Sequence, residues 1–343
     1  MEKTMDIKII GNSLPNIPWQ DKPEGYKYPL WRYSENPITD WNPVGNASRI
    51  FNSAVIPKDG KFVGVFRADS RAIMPQIHFG RSDDGIHWDI DADYIHWKDE
   101  NGEEYVSEYG YDPRLTEIDG EYLITWCTDF GGGPTIAVAK TEDFKEYTRL
   151  DNAFLVPNRN GVLFPRKIND KYYMLSRPSD YGHTPFGDVY ISESPDLIYW
   201  GRHRKLMSNK GPGWWQGMKI GAGPIPIETN IGWLMFYHGV CNTCNGYVYS
   251  IGVAILDKDE PWKVKYRASD YALTPEMPYE VSGFVPNVCF PCAALADADT
   301  GRIAIYYGAA DTYTALAFTT VDEICKFAID NPGLAKGDDE LVK

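Results

Sequence analysis

The chain has 343 residues, of which 43% are apolar and 24% are charged, and this balance excludes an intrinsically disordered protein. Its 48 acidic residues outnumber 34 lysines and arginines, so the net charge is −14 at pH 7. Such a surface repels phosphate backbones and anionic lipid headgroups, and we expect neither a nucleic acid nor a membrane as partner. The 11 tryptophans, 23 tyrosines, 31 glycines and 24 prolines favour many short strands and rings that stack on flat ligands.

The N-terminal 19 residues contain no apolar core of signal-peptide length. Nowhere does the chain approach the run of about 18 apolar residues that a bilayer-spanning helix needs. We therefore expect a cytoplasmic protein whose six cysteines are thiols.

Five copies of one segment follow along the chain, each a polar turn and then an apolar, aromatic strand. They occupy residues 59–67, 119–126, 169–176, 230–237 and 300–307. The copies start about 50 to 70 residues apart, which is within reach of a propeller-blade period. We interpret each strand as the inner strand of a blade and predict an all-β, five-bladed β-propeller. A pair of β-sandwiches would explain the strands but not the fivefold repeat.

A second polar turn follows four of these strands and ends in an aromatic residue, namely Trp88, Tyr147, Trp200 and Trp262. We interpret it as the outer hairpin of a blade, with its ring packed against the next blade.

We predict one catalytic domain over residues 1–343. Residues up to about 41 lack the repeat and are interpreted as an N-terminal extension, which would serve as an interface arm in a homo-oligomer. Residues from about 320 to 343 are predicted to form a helix and a tail. Apolar residues recur there at helical spacing before Pro332, at Val321, Ile324, Phe327 and Ala328.

Two Cys-x-x-Cys pairs, Cys241–Cys244 and Cys289–Cys292, have the internal spacing of a zinc site. The gap between the pairs far exceeds that of a zinc ribbon, and residues three apart on a strand point to opposite faces. The six histidines show no metal-ligand spacing either. We therefore expect buried thiols, no metal and no cofactor.

Ionisable residues recur just past the repeated strands, where a propeller would gather them at one end of its central channel. They are Arg67, Asp69, Asp129, Arg177, Asp180, His238 and Asp311, with Lys219 and the segments 111–114 and 158–161 nearby. Taken alone, each is explained equally well as a turn residue or as part of an ion pair between blades. Their shared position in five repeats favours a ligand site.

Four basic side chains predict a cationic pocket on this acidic protein: Arg159, Arg177, Lys219 and His238. Arginine forks and a lysine point charge suit a phosphate or a carboxylate, whereas carboxylates and rings suit sugar hydroxyls and sugar faces. An acid, a cation cluster and a sugar platform together are typical of a glycoside phosphorylase. Composition alone leaves a hydrolase and a lectin open.

A series of motifs resembles glycoside hydrolase family 130 from about Asn42 to Ala328. The motifs are residues 111–115, 158–166, 175–188, 219–224, 237–239 and 306–311. The resemblance implies a five-bladed propeller and an inverting phosphorolysis that releases α-D-mannose 1-phosphate from a β-mannoside. Residues 242–246 are most similar to the branch that cleaves 4-O-β-D-mannosyl-D-glucose with inorganic phosphate to give D-glucose.

By resemblance, Asp112 is the general acid and donates its proton through the 3-hydroxyl of the mannosyl unit. Phosphate would be bound by Arg159, Arg177, Lys219, His238 and Tyr247. The mannosyl unit would be bound by Asn52, Ser53, Arg67, Asp311 and Phe290. Independently of the resemblance, Asp129 is the alternative acid, unless it binds the acceptor or only shapes the site. The expected partners are therefore a disaccharide and phosphate.

These roles agree with the chemistry, because phosphate is already an anionic nucleophile and needs no second carboxylate as base. One tension is that Arg114 follows Asp112 by two residues, and a guanidinium on the same strand face would oppose protonation of the acid. A structural Asp112–Arg114 pair is the alternative. Three other functions stay open: a β-1,4-manno-oligosaccharide phosphorylase, a β-mannoside hydrolase of the same fold, and a non-catalytic sugar-binding propeller.

Overall fold

Strands dominate the computed structural model, which describes residues 6–107, 109–129, 131–179, 187–209 and 213–333. They form five sheets of four to six strands, which are the blades of a propeller. The five-bladed β-propeller predicted from the repeat is therefore confirmed.

Each blade runs from an innermost strand at the central channel to outer strands at the rim. Blade 1 consists of β2 (Ala47–Lys58), β3 (Lys61–Ser70), β4 (Pro75–Ser82) and β5 (Asp89–Tyr94). Blade 2 consists of β8 (Gly110–Ile118), β9 (Glu121–Asp129), β10 (Pro134–Thr141) and β11 (Thr148–Arg149), with β6 (Trp97–Lys98) and β7 (Glu104–Tyr105) at its outer edge.

Blade 3 consists of β12 (Asn158–Leu163), β13 (Tyr172–Pro178), β14 (Val189–Ser194) and β15 (Gly201–Met207). Blade 4 consists of β16 (Lys219–Ala222), β18 (Gly232–Thr243), β19 (Gly246–Leu256) and β20 (Val264–Arg267), and β17 (Ile227–Thr229) also pairs with β18. Blade 5 consists of β21 (Cys289–Ala296), β22 (Arg302–Ala309), β23 (Tyr313–Thr320) and β1 (Trp31–Arg32).

The repeated aromatic strand is the second strand of each blade, so its interpretation as the inner strand is wrong. The strands that contact those of neighbouring blades around the channel come one earlier, as β2, β8 and β12 do. The two strands form an antiparallel hairpin, so the end of the second lies beside the start of the first. Residues just past the repeated strand therefore still reach the same end of the channel.

Four innermost strands carry a β-bulge near that end of the channel, and in three of them a residue of the bulge has a left-handed backbone conformation. These three residues are Asn52, Asp112 and Asn160, whose φ angles are 51°, 52° and 55°. Asn and Asp tolerate this left-handed conformation better than other residues with a side chain. A bulge interrupts the alternation of side chains between the two faces of a strand.

The aromatic residues that end the outer turns pack between blades, as predicted, but on the other side. Trp88 of blade 1 lies 6.3 Å from Tyr306 of blade 5, and Trp262 of blade 4 lies 6.1 Å from Tyr173 of blade 3. Each of these rings therefore contacts the preceding blade rather than the next.

The N-terminal segment, interpreted above as an extension, supplies the outermost strand of blade 5. Trp31 and Arg32 of β1 pair with Phe318 and Ala317 of β23. Arg32 also forms an ion pair with the buried Glu280, at 2.7 Å between Nε and Oε1. Both ends of the chain are thus needed to complete one sheet.

The helix predicted near the C-terminus is present as α2 (Val321–Asp330). The hydroxyl of Thr320 accepts from the backbone N–H of Glu323, which caps its first turn. Val321, Ile324 and Ala328 are buried against blades 4 and 5. The other helical segments of the described chain are short: a 3-10 helix at Trp214–Gln216 and α1 (Pro278–Val281). No described helix has the length and apolar character to cross a membrane.

Candidate active site

Polar and ionisable residues collect where the innermost strands begin, and they fall into two groups. The carboxylate half comes from blades 1, 2 and 5 and consists of Asn52, Arg67, Asp69, Asp112 and Asp311. The cation half comes from blades 3 and 4 and consists of Arg159, Arg177, Lys219 and His238. The separation follows from the blade order, because each half is built from neighbouring blades.

Asp112, the predicted acid, lies on the bulge of β8 and is largely buried. Its Oδ1 accepts hydrogen bonds from Asn52 Nδ2 at 2.7 Å and from Arg67 Nη1 at 3.0 Å. Two donors therefore occupy one carboxylate oxygen, and a proton on this group belongs on Oδ2. Gly308 packs directly against the side chain of Asn52. A Cβ added at residue 308 would lie only 1.8 Å from Asn52 Oδ1.

Arg67 is the guanidinium beside the acid, although the sequence pointed to Arg114. Asp69 binds Arg67 through both oxygens, at 2.9 Å to Nε and 3.3 Å to Nη2. Burial opposes the charge of Arg67, but the carboxylates of Asp112 and Asp69 outweigh it and raise the pKa of Arg67. Arg67 thus holds Asp112 and shares Asp69 with the buried Arg49, whose Nη2 lies 3.2 Å from Asp69 Oδ2.

Arg114 does not contact the Asp112 carboxylate. Its guanidinium donates instead to backbone carbonyls, including that of Asp112, and its side chain is 1% exposed. On a regular strand, side chains two residues apart point to the same face, which would put Arg114 beside Asp112. The bulge at Asp112 interrupts this alternation, so the two side chains do not share a face. The guanidinium next to the acid is therefore that of Arg67, and not that of Arg114.

Asp311 completes the carboxylate half from the turn after β22. Burial, together with the negative charges of Asp112 and Asp69, raises its pKa to about 6 against the opposing effect of Arg67. Asp311 adopts a φ of 47°, which a short polar residue tolerates. It is therefore mostly ionised at neutral pH and suits a hydrogen bond donated by a sugar hydroxyl.

Arg159 and Arg177 face each other across the β12–β13 pair in the cation half. Arg159 Nε donates to the hydroxyl of Tyr111 at 3.2 Å. Arg177 Nη1 lies 2.9 Å from His238 Nε2, and its Nε donates to Ser179 Oγ at 3.2 Å. Burial and the neighbouring Arg159 lower the pKa of Arg177.

His238 is fully buried and does not carry the positive charge that the sequence assigned to it. Burial first, then the charges of Arg177 and Lys219, hold its pKa well below the usual range. Because Arg177 donates to Nε2, the proton of the neutral ring is assigned to Nδ1, which has no partner among the described residues. His238 therefore orients Arg177 rather than adding charge.

Lys219 begins β16 and has a pKa lowered to about 8, by burial and by the charges of Arg177 and Arg159. Its Nζ lies 5.1 Å from the ring of Tyr247 and 5.3 Å from the ring of Tyr249. The two rings hold the ammonium by cation–π contact without neutralising it. An anion bound in the cation half would neutralise the ammonium charge.

The remaining predicted residues lie at different depths. Ser53 is buried, with its hydroxyl 3.2 Å from that of Thr314, and forms part of the wall between blades 1 and 5. The ring of Phe290 packs on His238 at 4.4 Å between centroids. Asp129 stands at the exposed end of β9 and joins neither half. Asp180 lies outside the described residues.

One residue at the site was not singled out from the sequence. Asn160 lies on the bulge of β12, beside Arg159, and is 6% exposed; its Oδ1 has no partner among the described residues. Asn52, Asp112 and Asn160 occupy matching bulges, and each is an Asn or Asp near the start of an innermost strand. The sequence signal that could have identified Asn160 is this repeat, in which an Asn or Asp is followed by a small residue or a proline.

The donor set suits an anion and a sugar rather than a metal ion. Nitrogen donors fill the cation half, and the described residues contain no cluster of three or more His, Cys, Asp or Glu that would hold a metal. Of the two cysteine pairs, Cys241, Cys289 and Cys292 are buried and Cys244 is exposed. Chemically, the site offers a carboxyl group facing a cationic pocket.

The family model for glycoside hydrolase family 130, described as β-1,4-mannooligosaccharide phosphorylase, matches residues 12–329. The chain is 58% identical over 330 residues to a β-1,4-mannooligosaccharide phosphorylase of Ruminococcus albus, covering 94% of this chain and 98% of that protein. It is 26% identical to a 4-O-β-D-mannosyl-D-glucose phosphorylase of Bacteroides fragilis, over 90% of this chain and 85% of that protein.

A solved structure of β-1,2-mannobiose phosphorylase from Listeria innocua, in complex with β-1,2-mannobiose, superimposes with a TM-score of 0.77. The identity is 27%, and the match covers 88% of this chain and 99% of that one. The resemblance found in the motifs is thus confirmed along almost the whole chain, and the protein belongs to glycoside hydrolase family 130.

Proposed function

We propose that the protein is an inverting β-1,4-manno-oligosaccharide phosphorylase, which transfers a mannosyl unit to inorganic phosphate. The observation that carries this proposal is the cation half. Arg177 and Lys219 form no ion pair with any described residue, and each has a pKa lowered by its surroundings. A site built for water as nucleophile needs a carboxylate base there, whereas a cationic pocket suits phosphate.

Asp112 acts as the general acid in this proposal. Asn52 and Arg67 hold its Oδ1, so that Oδ2 carries the proton towards the departing oxygen, through the mannosyl 3-hydroxyl as the family resemblance implies. Asp311 and Arg67 bind mannosyl hydroxyls beside it. The bond from the anomeric carbon to the acceptor oxygen breaks, and the proton goes to that oxygen.

Phosphate is held on the opposite side of the mannosyl unit by Arg159, Arg177 and Lys219. His238 orients Arg177, and Tyr247 and Asn160 close the pocket. The phosphate oxygen then attacks the anomeric carbon from the face opposite the leaving group, which gives α-D-mannose 1-phosphate by inversion. The cations contribute by positioning an anion that is already a competent nucleophile.

The acceptor assignment departs from the one drawn from the sequence. The motif at residues 242–246 pointed to mannosylglucose, but the relative at 58% identity carries a manno-oligosaccharide name, and the mannosylglucose enzyme stands at 26%. We therefore propose a β-1,4-linked manno-oligosaccharide, with mannose rather than glucose as the smallest acceptor.

The test is to incubate the protein with β-1,4-mannobiose, β-1,4-mannotriose or 4-O-β-D-mannosyl-D-glucose, each with and without phosphate. We expect α-D-mannose 1-phosphate only with phosphate, and a larger kcat/KM for the manno-oligosaccharides. Equal release of mannose without phosphate would instead establish a hydrolase. A larger kcat/KM for mannosylglucose would show that glucose is the preferred acceptor. Sugar binding without turnover would show that the protein is a non-catalytic sugar-binding protein.

A further inference from the structure

Arg114 is a buried charge to which the proposed reaction assigns no part. Its side chain is 1% exposed, and no described carboxylate forms an ion pair with it. Burying an unpaired cation is costly, so such a group persists only where several dipoles compensate its charge.

Backbone carbonyls of two blades provide that compensation. Nη1 donates to the carbonyls of Asp112 at 3.0 Å and Pro113 at 3.1 Å, both in blade 2. Nε donates to the carbonyl of Gly223, and Nη2 donates to that of Ala222 at 3.3 Å, both in blade 4. One guanidinium therefore joins two blades that are not neighbours in the ring.

Each anchored segment carries a residue of the proposed reaction. Asp112, in its left-handed bulge, bears the acid, and its own carbonyl is one of the acceptors. Ala222 ends β16, the strand that begins with Lys219. Arg114 thus links the backbone that carries the acid to the backbone that carries a phosphate-binding cation.

Apolar side chains lie near the guanidinium in addition to the carbonyls that it binds. A cavity of about 380 Å³ begins at Leu115, the residue after Arg114, and its lining contains apolar residues such as Ile225 and Cys292 as well as polar ones such as Thr116 and Glu117. The ring of Phe290 lies 5.7 Å from the guanidinium carbon. Removal of Arg114 would leave four carbonyls without this donor, near apolar side chains.

We propose that Arg114 is a positioning residue that sets the alignment of the general acid with the phosphate, by tying β8 to β16. This proposal rests on the phosphorylase function proposed above. An in-line displacement needs acid and nucleophile on opposite faces of the sugar, and a misplacement of about 1 Å costs on the order of 100-fold in rate.

The test compares R114M and R114K with R267M. Arg267 is equally buried and hydrogen-bonds Gln216 and Tyr237, so R267M controls for the loss of a buried arginine. We expect kcat to fall about 100-fold in R114M and about tenfold in R114K, while the Kd of phosphate, measured by calorimetry, changes less than threefold. R267M should lower Tm but retain kcat.

A rescue experiment separates alignment from stability. In R114A, millimolar guanidinium chloride should restore part of kcat, and sodium chloride at the same concentration should not. The proposal is overturned if folded R114M or R114K keeps kcat within threefold of wild type, or if kcat and phosphate affinity fall by the same factor. R114K retains the charge and serves as the folded variant if R114M and R114A do not fold.

The wild-type rates with and without phosphate distinguish failure of the phosphorylase proposal from failure of the alignment proposal. If the wild type cleaves without phosphate, the phosphorylase function fails, while the ratio of variant to wild-type kcat still measures the effect of Arg114. If the wild type requires phosphate and that ratio is near one, only the alignment proposal fails.

Discussion

The carboxylate half and the cation half meet at one end of the channel, but they balance their charges differently. Arg67 is paired with Asp69 and Asp112, so ion pairs within the protein balance most of the carboxylate half, and only Asp311 forms none with a described residue. Arg177 instead contacts the neutral partners Ser179 and His238, and Lys219 contacts tyrosine rings. The cation half therefore stores unbalanced positive charge that an incoming anion relieves, whereas the carboxylate half is already organised before substrate binds.

The largest effect should come from the acid itself. D112N keeps the size of the side chain, but its amide has no acidic proton for the leaving group. We therefore expect kcat to fall about 10³-fold. Calorimetric affinity for mannobiose should stay within a few-fold of wild type, because the mannosyl contacts remain. If D129N loses turnover and D112N does not, then the acid is Asp129.

The next effect should fall on phosphate alone. R177M removes a buried, charge-assisted donor worth about 2–3 kcal/mol, so the KM for phosphate should rise about 30- to 150-fold. The KM for mannobiose should change little. R204M is the matched control from the same blade, because Arg204 stacks on Trp262 at 4.1 Å in the outer region. An equal rise in both KM values would contradict the division into two halves.

Two glycines allow each half to be disturbed separately. In G308A the new Cβ would overlap Asn52 Oδ1, which should push Asn52 away from Asp112 and lower kcat about tenfold. In G221A the new Cβ would lie 2.5 Å from His238 Cε1 and 2.8 Å from Arg177 Nη1. This overlap should displace both side chains and raise the KM for phosphate about tenfold. The comparison fails if both substitutions change the same kinetic constant.

The smallest effect concerns pH. Lys219 has a pKa of about 8, so it is charged below that pH and loses its charge as the pH rises through it. Phosphate affinity should therefore fall by up to about tenfold between pH 7 and pH 9. K219M should bind phosphate more weakly and show no such decline, and a decline of the same size in K219M would assign the titration to another group.

The period of the aromatic turns was sufficient to predict five blades, but not which strand lies at the channel. The turn marks the hairpin between the first two strands, and hydropathy is similar on both sides of it. The prediction still gathered Arg67, Arg177, His238 and Asp311 at the correct end, because an antiparallel pair brings the end of one strand to the start of the other.

Two properties of the site depend on packing and were not readable from spacing. The bulge at Asp112 turned Arg114 away from the carboxylate, which strict alternation along a strand does not allow for. The charge of His238 depends on its complete burial beside Arg177. Composition indicates a basic residue in both cases, but only the fold determines what it contacts.

The pairing of β1 with β23 has a consequence for how the protein is made. Trp31 leaves the ribosome well before its partner Phe318, so β1 stays unpaired until blade 5 has been synthesised. Closing a loop of that length costs conformational entropy that only the finished blade recovers. The Asp311 turn belongs to that blade, so the candidate site is completed only when β1 and the strands of blade 5 have come together.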